Sequence, residues 1–215
     1  FFGDDFEQYS ASLKTLDDYV QRFAKDAPQF TPGSQDSYSN YGFIVLGRII
    51  EAVSGQSYYA YVEQHILRPA GMTGTGFEPE TVTVPRRAVA YTKQDGQWVR
   101  ETKSLPWRGM SAGGGYSTVS DMVKFAEALR SGKLVSPALL QQATTAQNHK
   151  GWYGFGFVVQ GEGREHQYGH EGGAPGSNSA IVVLPAQGYV IVGLANVDPD
   201  AIGNVVNYIA RRVPL

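Results

Sequence analysis

The sequence predicts an α+β protein: a mainly helical lobe over about residues 1–150, then an antiparallel sheet and a covering C-terminal helix over residues 151–215. Three observations predict it. Up to about residue 150 the apolar residues recur at helical spacing behind recognisable caps. From Tyr153 the pattern changes to four short strand-like runs joined by glycine and proline turns. The last run, Ile202, Val205, Val206 and Ile209, returns to helical spacing. With 215 residues, the chain can form one large domain or two closely packed lobes.

In order along the chain, Leu16, Val20, Phe23 and Ala24 make one helical face from Thr15 to Lys25, with Thr15 and Asp18 placed to cap its first turn. Pro28 and Pro32-Gly33-Ser34 then break the chain. Tyr41 to Val53 reads as a buried helix stopped by Gly55. Ser57 caps the next helix, which is expected to run to a break at Pro69. Residues 71–108 lack a long period, and Asp95-Gly96 between Val/Thr and Gln97-Trp98-Val99 runs suggests a small hairpin or an ordered loop. Ser120 is expected to cap a helix carrying Met122, Phe125, Ala126 and Leu129, with Gly132 beyond its end. Ser136-Pro137 opens a further short helix, because proline at the first helical position wastes no amide donor. Strands are expected at Tyr153–Gln160, Glu165–His170, Ser179–Leu184 and Tyr189–Ala195, and the short turns between them require antiparallel pairing.

Composition excludes several classes. The 18 basic and 20 acidic residues give a net charge of −2 with no basic run, so no nucleic-acid partner is expected. There is no cysteine, hence no disulfide framework or thiolate nucleophile, and the four histidines lack an HExxH spacing; no metal or cofactor is expected. No stretch approaches the ~18 consecutive apolar residues of a membrane span. The Phe1-Phe2-Gly3 opening has neither an initiator Met nor a signal sequence, so the start reads as internal.

Three segments can carry chemistry. Tyr38-Ser39-Asn40 puts a phenol and an amide two residues apart, just before a buried helix, so both can face one ligand; the plain alternative is a turn with Asn40 as helix cap and a packed Tyr38. Gly169-His170-Glu171-Gly172-Gly173-Ala174-Pro175-Gly176 lets backbone amides approach a ligand as an oxyanion hole requires, with His170 as an added donor, or else is a glycine-rich hairpin with a surface histidine. Gly109-Met110-Ser111-Ala112-Gly113 matches the G-x-S-x-G of a nucleophile elbow, with Asp121 or Asp198 and His170 as triad partners, but lacks the strand before and the helix directly after it.

Taken together, Asp36-Ser37-Tyr38-Ser39-Asn40-Tyr41-Gly42, Leu46-Gly47-Arg48-Ile49-Ile50-Glu51, Pro69-Ala70-Gly71-Met72, Ser111-Ala112-Gly113-Gly114, Tyr153-Gly154-Phe155-Gly156-Phe157 and His170-Glu171-Gly172 resemble the serine β-lactamase and penicillin-binding protein superfamily. The similarity is to its class C β-lactamase, DD-peptidase and esterase branch. It implies the β-lactamase/transpeptidase-like fold and a serine hydrolase acting through an acyl-enzyme on an amide, β-lactam or ester. It further implies that Tyr38 moves the proton between nucleophile and leaving group and that Asn40 binds the substrate amide and a lysine. His170 stands where many relatives have lysine, Gly172 leaves room for substrate beside the strand, and the Gly173 amide supplies half the oxyanion hole. Trp107 and Arg108 lie where relatives line the substrate groove, Arg108 being a possible partner for a substrate carboxylate or simply a solvated arginine. The compartment implied is the bacterial periplasm or the medium.

The family's S-x-x-K nucleophile element is missing: no serine of the chain has lysine three residues later. The chain is therefore expected to be the C-terminal portion of one domain, inactive without its nucleophile segment, and to expose an unpaired sheet edge and an apolar seam. Its expected partners are a small-molecule or peptide substrate and the missing segment or another copy of the chain. The alternatives are a non-catalytic binding module of the same fold and, at greater distance, an α/β-hydrolase using Ser111.

Overall fold

The computed structural model describes residues 6–10, 12–79 and 81–214. The helical part holds α1 (Phe6–Ser10), α2 (Leu16–Phe23), α3 (Asn40–Ser54), α4 (Tyr58–Val62), α5 (Arg68–Ala70), α6 (Val119–Arg130) and α7 (Pro137–Ala143), with the hairpin β1 (Tyr91–Gln94) and β2 (Gln97–Arg100) between α5 and α6. Then follow β3 (Val158–Gln160), β4 (Gln167–Ala174), β5 (Ser177–Leu184), β6 (Tyr189–Ala195) and α8 (Ala201–Ala210). The last four strands form one antiparallel sheet in the order β3-β4-β5-β6, so the α+β architecture is as expected.

Local side-chain to backbone bonds set most helix boundaries. Thr15 and Asp18 form a reciprocal capping box on α2, and Ser57 and Ser136 cap α4 and α7. Gly55, in the left-handed region at φ 70°, ends α3. Two caps differ from expectation. Ser39, not Asn40, caps α3 by accepting from the Gly42 amide, and Thr118, not Ser120, caps α6 by accepting from the Asp121 amide. Pro69 does not break its helix either. The chain passes from α4 through a π-helical turn, Glu63–Leu67, into α5, and the path ends only at Gly71. A widened turn just ahead of a residue without an N–H donor fits a helix relieving a missing bond.

The helices pack in two clusters. Leu16 and Tyr19 of α2 bury against Ile44 of α3, with Phe6, Leu13 and Met110 around them. Ala24, expected on that face, is exposed, and Tyr19 takes its place at 0% exposure. Ile44 is equally buried, a burial that contributes on the order of 1.5–3 kcal/mol. On its other side α6 joins Leu67, Ala70 and Met72 through Ala128.

The sheet is covered on both faces. Ala126 of α6 packs on Tyr168 and Val183, so the helical part and the sheet share a core. On the opposite face a side chain at Gly193 would strike Ile202 and Val206 of α8. That helix is less covered than its apolar spacing predicts: Gly203 and Val206 are buried, whereas Val205, Tyr208 and Ile209 stay exposed. Beside them β6 has no strand on its outer side among the described residues. The unpaired edge and apolar seam expected from the sequence are thus present.

Strand lengths differ where glycine disguises a turn. Tyr153-Gly154-Phe155-Gly156-Phe157 alternates like a strand, but Gly156 lies at φ 81° and the Gly154 amide bonds Phe157 O, so only Val158–Gln160 pairs as a strand. Conversely β4 runs through the glycines to Ala174, further than the expected His170. Among the described residues no helix is long and apolar enough to cross a membrane.

Candidate active site

The Tyr38 and Asn40 side chains are aimed by the start of α3. Ser39 is extended (φ −145°, ψ 118°), which turns residues 38 and 40 to the same side, and the Tyr38 hydroxyl donates to Asn40 Oδ1 at 3.1 Å. The loop before them is tied to the segment opposite: the Lys150 amide donates to Asp36 Oδ2 at 3.2 Å, and His149 Nδ1 lies 3.5 Å from Asp36 Oδ1.

Facing this pair is β4. Its register sets His170 against Ile181, Gly172 against Ser179 and Gly173 against Asn178 on β5. On the other side β3 pairs only with Gln167–Gly169, so the edge from His170 to Ala174 has no strand neighbour among the described residues. Gly173 must be glycine for a reason behind the strand, since a Cβ there would collide with the Pro199 ring. Buried Asn178 fixes this stretch. Its amide nitrogen donates to Gly172 O at 3.0 Å, and its oxygen accepts from the Ile202 amide at 2.7 Å and the Gly203 amide at 3.3 Å, capping α8 where Asp200 makes no side-chain cap.

Tyr38, Asn40, His170, Gly172 and Gly173 all line one cleft of about 440 Å³, with Ala112 and Gly113 opposite. A second recess of about 270 Å³ adjoins it, lined by Phe43, Met110, Ser111 and Tyr153 and sharing Tyr38, Ala112, Gly113 and His170 with the first. The Tyr38 and His170 rings are 6.0 Å apart by centroid. Burial pushes the Tyr38 phenol above its ordinary range, and neither hollow has a lysine or arginine among its described lining residues. A base made from this phenol needs a cation brought to it.

His170, expected as an added donor, has both ring nitrogens engaged within the protein. Its Nδ1 lies 2.7 Å from Glu171 O, and its Nε2 lies 2.9 Å from the Tyr153 hydroxyl. Tyr153 was legible only as part of a Y-G-F-G-F run, and nothing in the sequence paired it with a histidine 17 residues away.

Trp107 and Arg108 do not line the cleft. Lys14 Nζ sits 4.3 Å from the centre of the Trp107 ring. Arg108 donates from Nε to Phe77 O at 2.9 Å and stacks 3.5 Å over the Tyr59 ring, which turns its guanidinium to a structural use. Ser111 fails as an elbow nucleophile. Met110 and Gly113 close a tight turn around it, and among the described residues no strand leads directly into it. Its Oγ is buried against Gly47 of α3 with no hydrogen-bond partner, and α6 starts only at Val119. The mixed parallel sheet of an α/β-hydrolase is absent from the described residues, whose four-stranded sheet is wholly antiparallel.

Comparison with known proteins places the chain and its fold in a known family. The family model described as Beta-lactamase matches residues 1–213. The chain is 31% identical over 198 residues to a putative penicillin-binding protein, PbpX, of Bacillus subtilis, covering 91% of this chain and 49% of that protein. It is 28% identical over 237 residues to the mouse mitochondrial serine beta-lactamase-like protein LACTB, covering 94% of this chain and 41% of that protein. Among solved structures, a penicillin binding protein from Bacillus halodurans superposes with a TM-score of 0.86 at 30% identity, covering 93% of this chain and 63% of that one. A D-stereospecific amidohydrolase from Streptomyces superposes at 0.80 with 26% identity, covering 100% and 66%. The chain therefore spans about half or less of these curated relatives and under two thirds of the penicillin binding protein structure.

Proposed function

The chain belongs to the beta-lactamase family, and from that premise we propose that it supplies the proton-handling and substrate-holding half of a serine hydrolase site that acts through an acyl-enzyme. In this reading the substrate is an amide, β-lactam or ester. The nucleophile and its activating lysine come from an S-x-x-K segment outside these 215 residues, because none of the chain's own serines has that spacing and the Ser111 hydroxyl is buried against Gly47 of α3.

The observation that carries the proposal is the convergence on one cleft of the bonded Tyr38–Asn40 pair and the open His170–Gly173 strand edge. Each part then has a task set by its chemistry. Tyr38, its phenol lowered by the incoming lysine, accepts the nucleophile's proton and returns it to the leaving group. Asn40 Oδ1, now holding the Tyr38 hydroxyl, is the acceptor that a lysine ammonium would take over. Substrate lies along the free edge of β4, with the Gly173 amide as one oxyanion donor. The amidohydrolase and penicillin-binding relatives support an amide or lactam carbonyl as the centre attacked. The compartment in this reading is the bacterial periplasm or the medium; the mouse relative is named as mitochondrial, so compartment is a property of the individual member.

The test compares the 215-residue chain with a longer protein that includes the coding sequence upstream of Phe1, on a chromogenic β-lactam, a D-amino-acid amide and a p-nitrophenyl ester. The chain alone is expected to be silent and the longer protein to turn over at least one substrate. If no S-x-x-K is encoded upstream, or the longer protein binds these ligands without turnover, the family fold serves here as a binding module and the hydrolase proposal fails.

A further inference from the structure

The geometry points to Tyr153 as a positioning residue that holds His170 in a single tautomer, as a hydrogen-bond acceptor, and fixes the Tyr38 ring beside it. The structural content of this proposal is independent of the hydrolase reading; its catalytic consequence rests on that reading.

The tautomer follows from the partners. A carbonyl oxygen only accepts, so His170 Nδ1 carries the proton for as long as the ring is held 2.7 Å from Glu171 O, and the Tyr153 bond at the other nitrogen is what holds it in that orientation. In the neutral ring Nε2 is then an acceptor, and the Tyr153 hydroxyl at 2.9 Å is its donor. Burial above all, with the neighbouring Tyr38 phenol in addition, pushes the Tyr153 phenol far above the ordinary tyrosine range, so it keeps its proton to give. The same ring meets Tyr38 edge-on at 5.7 Å and His170 at 5.7 Å, and Phe43 at 6.4 Å. Hydroxyl and ring thus act on both sides of the cleft.

Tyr153 is itself held rigidly, as a positioning role demands. Asn148 Oδ1 accepts from the Trp152 and Tyr153 amides, each at 3.0 Å, and the Gln147 amide bonds Tyr153 O at 2.8 Å. The two glycines that follow make the turn returning the chain to β3, and Tyr153 itself bridges Val158 at its start. With both His170 nitrogens engaged, the imidazole is held in one orientation opposite Tyr38 instead of swinging freely into the cleft.

Long-range nitrogen–proton correlation spectra of ¹⁵N-histidine-labelled 215-residue chain test this directly, with His170 assigned by His170→Gln. The wild type is expected to show one tautomer at His170, protonated at Nδ1 with Nε2 bare. In Tyr153→Phe, which keeps the ring, that pattern is expected to give way to an average of both tautomers. An Nε2-protonated His170 in the wild type overturns the proposal and needs no variant, so it stands as a test even if Tyr153→Phe fails to fold. A folded Tyr153→Phe with an unchanged His170 pattern overturns it too, since Glu171 O alone would then set the tautomer. In the longer protein, Tyr153→Phe should lower kcat about tenfold, the scale of one hydrogen bond, with KM nearly unchanged. If hydrolysis is never seen, the hydrolase reading fails while the tautomer result still decides this one. Hydrolysis with an unaltered tautomer has the reverse meaning.

Discussion

In a longer protein that carries the nucleophile, Tyr38→Phe is expected to lower kcat/KM by about 10²–10⁴, the range spanned by a positioned acid–base group. The loss should fall on kcat, because the ring that packs on Phe43 at 5.8 Å and Tyr153 at 5.7 Å is retained and only the hydroxyl goes. Stability is expected to change by less than about 1 kcal/mol, since that hydroxyl makes a single bond, to Asn40, at an exposed position. Steady-state kinetics beside a thermal melt separate the two effects. A variant with near-normal kcat removes Tyr38 from the proton path and returns Tyr38-Ser39-Asn40 to the plain role of a helix entry.

Asp121→Ala is expected to cause the largest loss of stability, about 3 kcal/mol, or roughly 6–12 °C in Tm for a chain of this size. Asp121 is 2% exposed. Its Oδ2 accepts from the Gly74 amide at 2.7 Å and from Thr75 Oγ1 at 3.0 Å, while Lys124 Nζ lies 2.8 Å from Oδ1. Alanine strands those donors and also unties α6 from the loop after α5. Burial pushes this carboxyl upward, but the hydrogen bonds from Lys124, Gly74 and Thr75 outweigh it and hold it below the ordinary aspartate value. A depressed native value means that the contribution is complete above the unfolded pKa of about 3.9 and is lost as pH falls through the native one. The difference in Tm between wild type and variant should therefore be widest at neutral pH and narrow in strong acid. A constant difference across that range excludes an ionised Asp121 as its source.

The parts of the fold that the sequence made legible are those governed by bonds within a few residues. Thr15, Gly55, Ser57 and Ser136 each act on an amide or carbonyl in the adjacent turn, and the Asp95-Gly96 turn has both residues at positive φ, 49° and 78°. The errors lie where two local signals compete or a distant partner decides. Asn40 and Ser120 are both acceptable cap residues, but a better-placed hydroxyl lies one or two positions earlier in each case. Tyr153 to Phe157 has strand spacing in its side chains and turn conformation in its backbone, and only the backbone counted.

The site divides the same way. Tyr38 and Asn40 could be read together because an extended residue between them puts i and i+2 on one side, and His170, Gly172 and Gly173 because one strand carries all three. Arg108 could not be read correctly, because its partners Tyr59 and Phe77 lie 49 and 31 positions away and convert a free cation into a structural one. The Tyr153–His170 bond is of that kind too. Local chemistry placed the groups, and tertiary contacts decided which were free to act.

The central claim is that these residues build a site around a nucleophile the 215-residue chain does not itself contain. Its most direct test is mass-spectrometric mapping of acyl adducts after exposing the chain, and the longer protein, to a fluorescent penicillin and an activated ester. The chain should carry no adduct on any of its serines, and the longer protein should be acylated at the serine of an S-x-x-K segment. An adduct on Ser111 of the isolated chain would contradict the claim and make the turn at 110–113 the catalytic centre.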